Sequence, residues 1–478
     1  MATSNEHKQL HIAMFPWLAF GHIIPFFELS KSIAQKGHKV SFISTTRNIQ
    51  RLPTLPPHLA PLINLVKLTL PHVHELSPNA QSTMDVCTDD VHYLKTAFDG
   101  LQPEITHFLE KESPDWIVYD FAPYWLPSIA GSLGISRGFF SILSAWCIAF
   151  LGRSPDDMIN STDDRTTAED FLKPPNWFPF PSIVCFKKHE ASLIFANNFT
   201  VNASGVSDTY RVGMVLKGSD CLFIRHCYEF EPQYLPLIEK LHHLPVVPVG
   251  LIPPKNVADD KDETWVTIKK WLDGQEKGLV VYVALGSEVV VSKSELCELA
   301  LGLELSGLPF FWALRKPAAA STESHSVELP DGFLERTRER GMVWTTWVPQ
   351  LEILRHESVG GFLTHCGWSS IVEALMLGHP LVMLPILGDQ GLNARVLVDK
   401  QVGIEVPRSE EDGGSFTKES VARSVRSVVV DDDGKMYKAN AMELSQIFGD
   451  TKLEKKYINH FIDYLEHKTK SCVHGCVA

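Results

Sequence analysis

Gly360-Gly361-Phe362-Leu363-Thr364-His365-Cys366-Gly367-Trp368-Ser369-Ser370-Ile371-Val372-Glu373 reads as an apolar strand, a small turn and the opening of a helix. The strand is expected over Gly361 to Thr364 and the helix over Ser370 to Leu377. The amides of Trp368 to Ser370 then lie at a helix N-terminus, where the dipole favours an anion. His365, just ahead of them, is placed to add a charge-assisted hydrogen bond to phosphate. Glu373 falls one turn into the helix on the same edge, able to accept from sugar hydroxyls. Upstream, Trp347-Val348-Pro349-Gln350 offers in Trp347 a flat face for a base. Downstream, the block closes on Gly388-Asp389-Gln390. Taken singly, Trp347 reads as core and Glu373 as a solvated helix residue. Together they point to a nucleotide.

On either side of this block, short apolar runs alternate with helical patterns. In the first half, strands are expected at Leu10–Phe15, Val40–Ser44, Trp116–Tyr119, Gly138–Leu143, Cys221–Arg225 and Val246–Val249, with a helix from Ile24 to Gln35 stopped by Gly37. Residues 155–207 are rich in Pro, Asp, Ser and Asn and are expected to form a long loop region over a pocket. Pro253-Pro254 and the charged run Lys255–Glu263 read as an exposed linker. Beyond it come strands at Leu279–Leu285, Phe310–Leu314, Met342–Thr345 and Pro380–Leu384, with a helix at Ser294–Leu305. The expected class is α/β: two doubly wound, Rossmann-like domains facing across a cleft. Their expected spans are 1–250, a linker at 251–264, and 265–453. A final helix, 454–466, carries Tyr457, Ile458, Phe461, Ile462 and Leu465 at helical spacing and should pack back on the first domain.

Composition excludes several classes. The 478 residues are 44% hydrophobic and 21% charged, as in an ordinary globular protein. With 44 Lys and Arg against 57 Asp and Glu, the net charge is −13, which gives no general attraction to nucleic acid or anionic lipid. Met1 to Gln9 lacks an apolar leader core, and Phe139–Leu151 is too short to span a bilayer. Nine scattered cysteines, an odd number, fit reduced thiols in the cytoplasm. The sequons at Asn160, Asn198 and Asn202 are therefore expected to stay bare.

Other motifs lack the context their chemistry needs. Gly134-Ile135-Ser136-Arg137-Gly138 matches a hydrolase nucleophile elbow, but a helical stretch precedes it and a strand follows, the reverse of what that turn requires. Asp260-Lys261-Asp262 resembles a metal-diphosphate D-x-D, yet sits in the charged linker rather than after an apolar strand. Cys472 and Cys476 with His474 fall short of the four ligands of a structural zinc site. No dinucleotide fingerprint follows a strand.

The block Trp347–Gln390 closely resembles the plant secondary-product glycosyltransferase signature of family 1 UDP-glycosyltransferases, which have the GT-B fold. Phe15-Pro16-Trp17-Leu18-Ala19-Phe20-Gly21-His22-Ile23-Ile24-Pro25 and Ser113-Pro114-Asp115-Trp116-Ile117-Val118-Tyr119-Asp120-Phe121 look like its branch-forming, sugar-on-sugar clade. One departure is Ser369, where the signature usually has Asn; retuned diphosphate contacts are expected from it. The resemblance implies that Trp347 stacks on uracil, the Val348 backbone pairs with the base edge, and Gln350 and Glu373 hold the ribose. It implies that His365, Gly367, Trp368, Ser369 and Ser370 hold the diphosphate with help from Ser287. It gives Asp389 and Gln390 the hydroxyls of the transferred sugar.

The resemblance gives the chemistry itself to His22 and Asp120. His22 follows the first strand and Asp120 closes another, so both sit at the carboxyl edge of the first sheet. A neutral imidazole can take a proton from an acceptor hydroxyl, and a carboxylate can fix its tautomer and steady the imidazolium. Taken alone, the two residues fit a helix cap and a backbone hydrogen bond equally well. The reaction implied is a single displacement with inversion, the UDP-sugar being a co-substrate, with no cofactor and no metal. The acceptor is expected to be a small terpenoid or flavonoid glycoside, met by Phe20, Phe121, Trp125, Ser144, Trp146 and Phe195. The chain is expected to act as a monomer. UDP-rhamnose as donor, a catalytically silent UDP-sugar-binding protein, and a metal-dependent transferase using Asp260 and Asp262 stay open as alternatives.

Overall fold

The computed structural model describes residues 8–254, 262–286, 288–289, 291–315 and 328–475, with side chains as far as 469. Ser287, Asp260 and Cys476 lie outside the described residues, as do the side chains of Cys472 and His474. The chain forms two compact units. One holds Met1–Asp163, Asn198–Pro254 and Thr451–Ala478; the other holds Asp164–Asn197 and Lys255–Asp450.

The first unit is built on seven strands: β1 (His11–Phe15), β2 (Lys39–Thr45), β3 (Ile63–Leu68), β4 (Trp116–Tyr119), β5 (Ser136–Ser141), β6 (Cys221–Ile224) and β7 (Val246–Pro248). Their spatial order is β3-β2-β1-β4-β5-β6-β7, every pairing parallel. The second unit has β8 (Val280–Ala284), β9 (Phe310–Ala313), β10 (Gly341–Trp344), β11 (Val359–Thr364), β12 (Leu381–Met383) and β13 (Gly403–Glu405), in the order β10-β9-β8-β11-β12-β13, again all parallel. Crossover helices cover both faces of such sheets, so the central strands are fully buried apolar runs. Strand order reverses between β1 and β4 in one sheet and between β8 and β11 in the other. Loops leaving paired strands diverge at such a point and open a crevice at their carboxyl ends.

Two strands escape the sequence reading, and both are edges. β3 (Ile63-Asn64-Leu65-Val66-Lys67-Leu68) is only partly buried, and β13 is three residues long beside β12. An edge strand is not enclosed on every side, so it lacks the continuous apolar run. Pro248 is tolerated in β7 for the same reason, since an edge has a side where no ladder donor is needed.

Residues 155–207 are not one long loop. Pro155 takes the first helical position of Pro155–Asn160, where its missing N–H costs nothing, and the Ser154 side chain caps that turn at 3.1 Å. A second helix spans Lys188–Ile194. Residues 164–197 group with the second unit, not with the first domain in which the sequence reading placed them. The charged stretch also ends earlier than expected. Asp262 caps the helix Glu263–Asp273 by accepting from the Thr264 amide at 2.8 Å, so Glu263 is helical.

The terminal helix Thr451–Gly475 belongs to the first unit. Phe461 and Leu465 are fully buried in the core around Trp116 and Phe223, with Phe461 edge-on to Phe223 at 4.7 Å. Glu454 accepts from the amides of Leu251 and Ile252, both at 3.1 Å. Among the described residues no helix is long and apolar enough to cross a membrane.

Candidate active site

In the first unit the switch point lies between the ends of β1 and β4, where Phe15 is in register with Tyr119. The chain leaves β1 and turns at Ala19 into a helix running from Phe20 to Gln35. This helix starts four residues before the pattern suggested and continues through Pro25, so His22 lies within its first turn. Asp120 follows β4 directly. Its Oδ2 lies 2.7 Å from His22 Nδ1 and also accepts the Trp17 amide at 3.2 Å; its Oδ1 accepts the Phe121 amide at 2.8 Å. Asp120 is 2% exposed, whereas the His22 side chain keeps 18% of its surface. A carboxylate held by two amides is a fixed acceptor. It accepts the hydrogen bond from Nδ1–H, which makes Nε2 the basic nitrogen.

Around this pair, the Phe121 ring lies 5.8 Å from the imidazole and 6.1 Å from Trp17. Phe20 is two residues from His22 and partly buried, with the Arg51 guanidinium 6.0 Å from its ring. Trp125 sits deeper and donates to Asp99 at 3.3 Å. The other acceptor residues are placed differently. Trp146 has no exposed surface and packs against His226, Phe230 and Tyr234. Ser144, equally buried, donates to Cys147 Sγ at 2.9 Å. Neither presents surface to an acceptor. Phe195 belongs to the second unit and lies 6.0 Å from Phe171.

In the second unit the switch point lies between β8 and β11, with Ala284 in register with Thr364. The turn after β11 carries Cys366 at φ +69°, a left-handed conformation unusual for a residue with a side chain. Gly367 is the N-cap of the helix Trp368–Met376 and has no side chain to cap it; the first intrahelical bond runs from Ile371 N to Gly367 O at 3.1 Å. The amides of Trp368, Ser369 and Ser370 thus belong to the turn that no helix carbonyl serves. The Trp368 ring turns inward to Phe448, 6.1 Å away and nearly perpendicular, so only its backbone faces that helix end. The His365 ring lies over Gly286, which has φ +81° and whose missing Cβ would stand 2.6 Å from Nε2. Burial holds the His365 pKa down to about 4. Without a ligand the ring is therefore a neutral donor, and toward an ionised phosphate its hydrogen bond is still charge-assisted through the acceptor.

The nucleoside end is prepared by a short relay. Trp347 is 60% exposed, with its face available for a base. Val348 O accepts the Gln350 amide at 3.0 Å, leaving a second lone pair. Tyr282, fully buried in β8, donates to Gln350 Oε1 at 3.1 Å, and Gln350 Nε2 donates to Glu373 Oε2 at 2.9 Å. At the sugar end, Gln390 Oε1 accepts the amides of Ile386 and Leu387 at 2.8 and 2.9 Å, so its amide NH2 is what it can offer a ligand. Asn393 Nδ2 joins Asp389 Oδ2 at 2.8 Å to Cys366 O at 3.1 Å, tying the sugar residues to the anion turn. Sequence reading missed Tyr282 and Asn393. The signals were a single polar residue in the run Val280-Val281-Tyr282-Val283-Ala284, and an amide one helical turn after Asp389.

Two doubly wound parallel sheets, one with a carboxylate-oriented histidine at its switch point and the other with an anion-ready helix end and an exposed tryptophan, define a glycosyltransferase of the GT-B class. The chain belongs to the UDP-glucoronosyl and UDP-glucosyl transferase family, whose model matches residues 200–465. It is 64% identical over 475 residues to UDP-glycosyltransferase 91D2 of Stevia rebaudiana, covering 98% of each chain. It is 43% identical to the soyasaponin III rhamnosyltransferase of Glycine max, over 97% of this chain and 96% of that one. In structure it resembles Glycyrrhiza uralensis UGT73P12 complexed with glycyrrhetinic acid 3-O-monoglucuronide, with a TM-score of 0.80, 21% identity and 98% of each chain covered. The protein is a UDP-sugar-dependent transferase.

Proposed function

We propose that this enzyme transfers glucose from UDP-glucose, with inversion, to a sugar hydroxyl of a small terpenoid or flavonoid glycoside, forming a β-1,2 linkage. The observation that carries the mechanism is the 2.7 Å bond between His22 Nδ1 and Asp120 Oδ2. His22 Nε2 takes the proton of the acceptor hydroxyl as its oxygen attacks the anomeric carbon. Asp120 holds the tautomer and steadies the imidazolium that forms. The C–O bond to UDP breaks on the opposite face, and its electrons pass to the diphosphate. There the amides of Trp368–Ser370, together with His365 and Ser287, disperse the charge without a divalent metal. Trp347 and the Val348 backbone hold the base, Gln350 and Glu373 the ribose, and Asp389 and Gln390 the glucose hydroxyls.

The sugar-on-sugar acceptor and the linkage are supported by resemblance to the clade of steviol glycoside 1,2-glucosyltransferases, and Phe121 beside His22 suits an apolar acceptor body. Among the described residues seven cysteines stand as thiols rather than disulfides, which suits a reducing cytoplasm. A second reading, UDP-rhamnose as donor, is favoured by the relationship to the soyasaponin III rhamnosyltransferase. Product analysis with UDP-glucose and UDP-rhamnose, each against terpenoid and flavonoid glycosides, separates the two. Running it in excess chelator tests metal independence.

A further inference from the structure

The segment 164–197 lies outside the domain whose sequence surrounds it and packs on the second unit, His189 against Glu410 and Gly414 and its neighbours against the helix behind Gln390. Its helix Lys188–Ile194 carries Glu190, which is 6% exposed. Glu190 Oε2 accepts the Lys187 amide at 2.8 Å, closing the helix's own first turn, and accepts from Arg395 at 2.8 Å. Arg395 also donates to Glu405 in β13, and Lys187 Nζ donates to the other oxygen of Glu405 at 2.6 Å. Arg395 stands on the helix Gln390–Asp399, whose start presents Asp389 and Gln390. Gly391 fits the same contact: a Cβ there would meet the Glu190 carboxylate at 2.6 Å. The carboxylate therefore rests on the backbone immediately behind Gln390.

A buried ion network is weak evidence for stability, because desolvation offsets much of its attraction. Its directional bonds do fix the position of the elements it joins. We propose that Glu190 is a positioning residue for the transferred sugar: through Arg395 and Gly391 it sets the helix that presents Asp389 and Gln390. Sugar recognition then depends on a residue 200 positions upstream of Gln390. This rests on the reading that Asp389 and Gln390 meet the transferred sugar. The nucleoside residues Trp347, Gln350 and Glu373 stand on other elements, and the helix touches the anion turn through the Asn393 Nδ2–Cys366 O bond, so UDP alone should respond less to Glu190 than UDP-glucose does.

The test is calorimetric titration of the full-length protein with UDP-glucose and, separately, with UDP. Glu190→Gln, which keeps the shape and removes the charge, is expected to weaken UDP-glucose roughly 5- to 50-fold while UDP changes less than about twofold. Gly391→Ala pushes the carboxylate away from the helix and should reproduce that selective loss; it decides the matter should Glu190→Gln fail to fold. Gln390→Ala tests the underlying reading. If Gln390→Ala weakens UDP-glucose selectively but Glu190→Gln and Gly391→Ala weaken both ligands equally or neither, the positioning role is wrong. If Gln390→Ala shows no selective loss, the sugar assignment itself has failed and the proposal falls with it.

Discussion

His22 and Asp120, 98 positions apart in sequence, meet at 2.7 Å because β1 and β4 are neighbours in the sheet, with Phe15 in register with Tyr119. Asp120 is held from two further sides by the amides of Trp17 and Phe121. Replacing His22 by Ala is expected to lower turnover by about two to four orders of magnitude, the usual worth of a positioned general base. UDP affinity should be unchanged. Asp120→Asn should cost the same or less, since the imidazole remains but loses its charge support. Steady-state kinetics and a UDP titration check both, and near-normal turnover of His22→Ala would dismiss the dyad.

The exposed Trp347 and the relay Tyr282–Gln350–Glu373 lead to a second expectation. Trp347→Ala should weaken UDP and UDP-glucose alike, by about 1–3 kcal/mol, the worth of one base–aromatic stack. Glu373→Ala should do the same on the scale of a charged hydrogen bond, about 1.5–3 kcal/mol. Titration with UDP alone is decisive: normal UDP binding with altered sugar preference would move the signature block off the nucleotide.

Acid stability offers a third check. His226 and His242 are enclosed in the first unit, and burial lowers each pKa from 6.5 to about 4. The unfolded chain therefore binds more protons than the folded one between pH 6.5 and 4. Stability is fully present above pH 6.5 and is lost as pH falls toward 4, by about 2 kcal/mol per histidine at pH 5. In scanning calorimetry, His242→Gln should shrink the drop in Tm between pH 7.5 and 5. An undiminished drop would place the acid sensitivity elsewhere.

Chimeras test the separation of donor from acceptor determinants. Exchanging residues 1–250 with a relative of different acceptor preference, while keeping the terminal helix with its own first unit, should change acceptor choice and leave the donor unchanged. The crossing of 164–197 into the second unit adds a condition. A graft that keeps 164–197 with residues 255–450 should retain UDP-glucose affinity, whereas one that carries it along with 1–250 should lose some whenever the relative lacks a carboxylate at the Glu190 position. Donor preference that followed the remainder of 1–250 would refute the division.

Much of this was legible from residue order alone. Buried parallel strands must be short continuous apolar runs, and a glycine-containing turn before a helix must expose amides. Hence β1, β4, β8, β11 and the anion turn at Cys366–Ser370 could be read directly, and the family resemblance added roles for His22, Asp120 and the signature block. The edge strands β3 and β13 could not be read in this way, because Asn64 and Lys67 interrupt the first and the second is only the three residues Gly403–Glu405.

Tertiary structure alone decided which polar groups meet. It put Trp146 and Ser144 wholly inside the core, turned the Trp368 ring to Phe448, and lowered the proton affinity of His365 by burial. It also joined Glu190 to Arg395 across 205 positions. The physical reason is range. Backbone preference and hydrophobic period act over a few residues and are written locally, whereas burial, proton affinity and ion pairing depend on distances in space that the packed sheets and helices set.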